Sequence, residues 1–253
     1  MPTVEKWSFL ATADVYVGGR LVGNTLAAQL NGSEQVINQR DYRNGQSGNY
    51  ASVRRLEGLE LVLSLADYSP ENLTALQRGT STTIAAGAIT DESISARSSL
   101  NTLIRTAYMI DTGEAVVVTT DPAGTTYDDD VADPVDPDYQ VTPSGIYVLS
   151  TGDISADDAL LIDYTKLASK KNEAYTAASA QSQIIIEAKN EVTGYYHRLT
   201  FHSGELGIAT QRMLMSGDAM SELPATFSIE ADTTITTSGL SQYFVEELAT
   251  AAV

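Results

Sequence analysis

Only two histidines, His197 and His202, are available to this chain as proton carriers near neutral pH. A nucleophilic triad needs such a base to accept the nucleophile's proton. The two stand five residues apart in an alternating stretch, Tyr195 to His202, which puts them on opposite faces of one strand. They do not share a pocket on that reading, and a metal site built on both is disfavoured. Cysteine is absent, which excludes thiolate nucleophiles, disulfides and thiolate-ligated clusters. Neither G-x-G-x-x-G nor G-x-x-x-x-G-K-[ST] occurs, so no glycine-rich phosphate cradle is encoded. Carboxylates are plentiful enough for an acid–base dyad, yet most sit in Pro- and Gly-rich stretches expected to be solvated. Asp128-Asp129-Asp130, with Asp133, Asp136 and Asp138, offers oxygens suited to Ca²⁺ but lacks the Gly-6 and Glu-12 pattern of an EF-hand loop. The expectation is a protein that is not an enzyme and carries no cofactor or metal.

Charge narrows the classes further. The 253 residues hold 15 Lys and Arg against 33 Asp and Glu, a net charge of −18. A gripping site for nucleic acid needs clustered bases, and docking on an anionic membrane needs the same. No run of 18 apolar residues is present. Met1–Leu10 lacks a basic region followed by an apolar one, so no signal peptide is expected. The charge is also unevenly placed. The 60 residues from Thr106 to Thr165 contain 13 acids and no Lys or Arg.

The elements that must position these residues read as mainly β. Period-2 alternation marks strands at Glu60–Ala66 (Leu61, Leu63 and Leu65 on one face), at Leu160, Ile162 and Tyr164, at Tyr195–His202, and at Thr226–Ala231. Short apolar runs at Val116–Val118, Ile146–Leu149 and Ile184–Ile186 read as strands buried on both faces, or as lone strand cores. Val15-Tyr16-Val17-Gly18-Gly19-Arg20-Leu21-Val22 reads as strand, two-residue turn, strand. One helix is expected: Ser69 as N-cap, Pro70 at the first position, Glu71 in the first turn, Leu73 and Leu76 as a small apolar face, Arg78 in the last turn and Gly79 beyond. Ser169–Gln181 is Ala-rich and weakly helical in pattern. Loops are expected at 38–50, at 121–138 and around Gly204–Gly207. Without a repeat or a linker, a single domain over 1–253 with long loops or arms is the default.

The segment from Gly58 to Thr80 resembles the major tail tube protein of long-tailed bacteriophages. In that family a strand runs into D-x-S-x-E-N-L-A-x-A-L-x-G, which opens its single helix. Here Asp67, Ser69, Glu71, Asn72, Leu73, Leu76 and Gly79 fill the pattern, with a small departure at Thr74-Ala75-Leu76-Gln77. Asp138-Tyr139-Gln140-Val141, Gly145-Ile146 and the strand ending Asp163-Tyr164-Thr165 are similar to the family's middle. Tyr196–Gly207 and Ala225–Ile235 look like its later strand and C-terminal hairpin.

The resemblance implies a β-sandwich or barrel flanked by one short helix. Copies join into rings, usually hexameric, whose inner strands surround a lumen. Rings stack into a tube, and genomic DNA passes through without being specifically bound. The partners it implies are further copies of the chain, a tape measure protein, and tail terminator and distal tail proteins. The site would be the virion, after assembly in the host cytoplasm. A lumen of like charge keeps DNA off its wall, and its field acts over about 8–10 Å at physiological salt. Asp111, Glu114, Asp153, Asp157, Asp158 and Asp163 are the candidate lumen acids on this reading, and the loop Asp128–Asp138 is placed outside. Arg40, Asp41, Arg43, Arg54 and Arg55, in and beside the 38–50 loop, are the candidate contacts between rings, since Arg–carboxylate forks fix register. Competing readings are a tube or terminator protein of a related tail-like or secretion system, a β-sandwich carbohydrate-binding or adhesin module, and, last, a hydrolase using a carboxylate pair.

Overall fold

A computed structural model describes residues 11–41, 48–96, 100–130, 132, 133, 135–209, 211–215, 217 and 220–250. The chain is mainly β, with antiparallel ladders and one short helix. It divides into two compact units, Met1–Ser81 with Asn172–Val253, and Thr82–Lys171. Each unit has its own apolar core, and the second is inserted in the first with no linker of distinctive composition to announce it.

The first unit contains β1 (Ala11–Val17), β2 (Arg20–Leu21), β3 (Thr25–Asp41), β4 (Gly48–Leu65) and α1 (Pro70–Leu76) before the insertion. Strands β5 (Thr80–Ile84) and β13 (Ser169–Glu173) pair with each other and carry the chain into and out of the insertion. The insertion holds β6 (Gly87–Ser95), β7 (Thr102–Arg105), β8 (Val117–Thr120), β9 (Thr126–Tyr127), β10 (Tyr139–Thr142), β11 (Gly145–Val148) and β12 (Ala159–Lys166). The first unit resumes with β14 (Gln181–Asn190), β15 (Tyr196–Leu206), β16 (Leu223–Glu230) and β17 (Phe244–Leu248).

An eight-stranded sheet organises the first unit in the order β2-β1-β14-β15-β16-β4-β3, with β17 also paired to β15. Among the described residues no ladder joins its two ends, so it does not close into a barrel. Its inner face is built by alternation. Leu61, Leu63 and Leu65 of β4, Val15 of β1, Ile184 and Ile186 of β14, Phe201 of β15, and Phe227 and Ile229 of β16 are all buried in one core. Burying a side chain of this size is worth roughly 1.5–3 kcal/mol. The Gly18-Gly19 turn has φ of 58° and 79°, the left-handed pair a two-residue hairpin requires.

The second unit packs the sheet β10-β11-β7 and the sheet β6-β12-β8-β9 around one core of Ile104, Ile146, Val148, Val118, Leu160 and Ile162. Its residues include 15 acids and 5 bases, and the whole base-free stretch Thr106–Thr165 lies inside it.

Several sequence expectations change. The three short apolar runs are not buried on both faces: Val117 is exposed, and Tyr147 and Ile185 are half-buried between buried neighbours. Each strand lies on a sheet with one covered face, so a run of three β-branched or aromatic residues still alternates. Ser169–Gln181 starts as β13, followed by turn and irregular chain, not helix. The loop expected around Gly204 is strand. Gly204 is buried there, and a Cβ on it would lie 2.7 Å from Ile184 Cδ1, so glycine marks close packing, not a turn. The loop expected over 38–50 is strand on both sides, Asn38–Asp41 and Gly48–Tyr50, while 42–47 lies outside the described residues.

Candidate functional site

The motif that carries the resemblance is a structural clamp. Ser69 caps α1, its Oγ accepting from Asn72 N at 3.2 Å. Asn72 is buried. Its Nδ2 donates to Val22 O at 2.8 Å and to Asp67 O at 3.1 Å, and its Oδ1 accepts from Arg20 Nη2 at 2.7 Å. Asp67 Oδ2 accepts from Asn24 N at 2.9 Å, close over Gly23, which has φ of 92° and no room for a Cβ. Leu76 is in the core, and Leu73 packs against it. Glu71 stands in the helix's first turn, where a carboxylate suits the helix dipole. The C-terminal expectation needs correction. Arg78 lies beyond the helix and is itself the left-handed residue, φ 45°, while its Nη2 reaches Glu205 and Leu206 O. Gly79 serves close approach: a Cβ there would stand 2.6 Å from Glu173 O.

The two histidines line no common cavity among the described residues. His197 Nε2 lies 2.8 Å from Glu246 Oε1 of the neighbouring β17, while His202 borders a surface hollow with Ser203 and Asp232. Among the described residues no three His, Asp or Glu side chains come together as a metal site.

All six candidate lumen acids lie in the second unit. Asp111 Oδ1 accepts from Gly113 N at 3.1 Å, Asp158 Oδ2 from Ser155 N at 2.7 Å and Asp163 Oδ1 from Asp91 N at 2.7 Å. These three brace turns and a bulge in the manner of Asx motifs. Glu114, Asp153 and Asp157 are exposed in connecting segments. Asp138, expected in a solvated loop, is buried. Its Oδ2 accepts from Asp128 N at 2.8 Å and its Oδ1 from Asp153 N, tying the acidic loop to the segment before β12.

Packed acids and burial also act on nearby tyrosines. Tyr139 is raised well above its ordinary value, chiefly by burial and then by Asp129, and its hydroxyl donates to Val116 O at 3.1 Å. Tyr164 is pushed up to about 12 by burial and by its hydrogen bond to Glu92, at 2.6 Å. Tyr127 is raised by burial and by Asp158.

The eight-stranded sheet has a charged outer face that the sequence reading missed. Register sets Asp14 of β1 opposite Glu187 of β14, Glu187 opposite Arg198 of β15, and Arg198 opposite Glu247 of β17. Arg198 Nε donates to Glu247 Oε2 at 2.6 Å, and Lys189 lies over the Tyr196 ring, 5.6 Å from its centroid. Asp14 and Glu187, both exposed, thus face one another as like charges, an unfavourable cross-strand pair. The alternation in these strands was the available signal. Only the pairing register turns separate residues into a row.

The largest feature is the β3–β4 hairpin. Beyond the pair Leu59↔Ile229, β4 has no strand partner but β3 among the described residues, and the two run on as a ribbon to Asp41 and Gly48. Gly48–Gly58 spans roughly 36 Å at about 3.3 Å per residue. Register shifts at Ser33/Glu34 and Gln39/Arg40 mark bulges along it. One face pairs Ile37 with Val53 and Gln35 with Arg55; the other pairs Glu34 with Leu56 and Val36 with Arg54. Val36, Ile37, Val53 and Leu56 are each about half exposed, at 46–50%. Arg54 Nη1 meets Glu34 Oε2 of its own ribbon at 3.4 Å. Among the described residues Arg40 and Arg55 form no ion pair. Asp41 ends β3, and Arg43 lies outside the described residues. Of the inter-ring candidates, Arg40, Asp41, Arg54 and Arg55 therefore sit on the strands of a β-arm.

No curated protein matches the chain. A family model described as "Protein of unknown function UCP028589" matches residues 9–246, nearly the whole sequence. The chain belongs to that family.

Proposed function

We propose that the chain is the structural subunit of a tube, of the major tail tube kind its strand–helix motif resembles, and that it assembles with copies of itself into stacked rings. One observation carries this: an arm of two strands stands off its sheet with apolar side chains exposed on both faces. A two-stranded ribbon is marginal in water by itself, and apolar patches of this sort mark contact surfaces. The arm also carries Arg40, Arg54 and Arg55 beside Glu34 and Glu57 in a chain of net charge −18, a mix of signs that can pair with a further copy.

In this reading the outer face of the eight-stranded sheet lines the lumen. Asp14, Glu60, Glu187 and Glu247 stand against Lys189 and Arg198 there, leaving a net negative wall. Repeated around a ring, such a wall repels DNA phosphates and lets the polymer slide. The second unit has its own core and contains the acidic stretch.

The test is negative-stain microscopy of the purified protein at high concentration, beside a variant lacking Arg43–Gly48. The full chain is expected to give rings or tubes of uniform bore. The deletion is expected to give a folded subunit, judged by circular dichroism, that does not polymerise. A monodisperse monomer at every concentration, or tubes unchanged by the deletion, overturns the reading.

A further inference from the structure

The arm leaves the first unit's sheet at one end, beyond Leu59↔Ile229. The opposite end of the same strand β4 is the pair Leu65↔Leu223, and there the β15–β16 connection, residues 207–222, emerges. That connection has no regular structure among its described residues, and it is apolar where a surface segment is ordinarily polar. Leu214 is 79% exposed, Met215 90% and Met220 98%, with Met213 and Ile208 near half. Three of the chain's five methionines stand in it. Methionine is unbranched and polarizable, and Met-rich surfaces mould themselves to partners.

We propose that this Met-rich connection is the seat for the arm of the next copy, with the Ile37–Val53 face of the arm laid against Leu214, Met215 and Met220. The inference rests on the tube reading and names the acceptor it requires. Two apolar surfaces at opposite ends of one unit cannot satisfy each other within a copy. Between copies they form a heterologous, head-to-tail contact, which extends without closing along its axis.

Charge fits the same pairing. The arm presents Arg40 and Arg55 against Glu57, while Asp67, Glu71 and Glu222 at the seat's end of the sheet outnumber Arg212 of the connection itself. Tyr68 Oη donates to Glu222 O at 3.1 Å, and Ser64 Oγ to Glu222 Oε2, which holds Glu222 beside the end of β4.

The native chain has no cysteine, so introduced thiols report one contact. Val53→Cys and Leu214→Cys proteins are mixed, allowed to assemble, checked for tubes by microscopy and treated with a short bismaleimide. Covalent dimers should form in the mixture and be at least tenfold fewer with either variant alone. Leu214→Glu, at a position that bears no core load, should raise the concentration needed for assembly at least tenfold with an unchanged circular dichroism spectrum. Tubes without the mixed product, or with Val53→Cys linked to itself, overturn the seat and leave the tube reading standing. No assembly under any condition removes both.

Discussion

At the residue scale, Asn72 shows that a residue of the strand–helix motif has a structural role. Its side chain satisfies two carbonyls and one guanidinium at a buried junction of β2, β4 and α1. Asn72→Ala would leave Val22 O and Asp67 O without their donor, where a buried unsatisfied group costs about 1–3 kcal/mol. We expect the variant to lose about 2–3 kcal/mol in urea unfolding of the first unit, and a loss below about 0.5 kcal/mol would refute the clamp. The residue types at this junction were legible because caps and turns are local: Ser69, Pro70 and Glu71 act on neighbours within one turn. The left-handed residue was misplaced by one, to Gly79 instead of Arg78. Glycine is the cheapest left-handed residue, but here a strand backbone crossing at Glu173 had already claimed it for lack of a side chain. That neighbour is nearly a hundred residues away in sequence, beyond the reach of any local rule.

At the scale of elements, the two units differ in what holds them and in how pH acts on them. Tyr127, Tyr139 and Tyr164 all belong to the second unit and hold their protons more tightly than tyrosine ordinarily does. Between pH 10, the ordinary tyrosine value, and about 12 for Tyr164, the folded state binds more protons than the unfolded one. The stability these groups contribute is therefore intact below pH 10 and drains as pH rises above it. Thermal melts from pH 8 to 11.5 should show the second unit's transition falling, with a shallower fall in Tyr164→Phe; an equal slope in that variant would count against the assignment. The insertion's two ends are brought together by β5 and β13. A protein with Thr82–Lys171 replaced by a short Gly/Ser linker should keep the first unit's cooperative unfolding, and its collapse to an unfolded chain would show that the cores are not independent. The arm was the element read least well. Gln, Asn, Ser and Gly dominate 38–50, and strands with no buried face carry no period-2 signal, so the stretch looked like a loop.

At the scale of the whole molecule, assembly decides what the exposed apolar residues are for. If the arm and the Met-rich connection meet between copies, both the arm deletion and Leu214→Glu act on polymerisation and leave each subunit folded. The same scale explains the base-free acidic stretch. Three of its six candidate lumen acids accept backbone hydrogen bonds at turns and a bulge, and the register of another sheet sets out a second charged row. The sequence by itself determined the mainly β class, the capped helix, the alternation of core strands and the two-glycine turn. These depend on side-chain periodicity and on interactions within a few residues. Tertiary structure alone decided the division into two units, the outer row of Asp14, Glu187, Arg198 and Glu247, and the arm. Each depends on which strands pair and in what register, and pairing energy is shared between segments far apart in the chain, so neither partner's sequence records it alone.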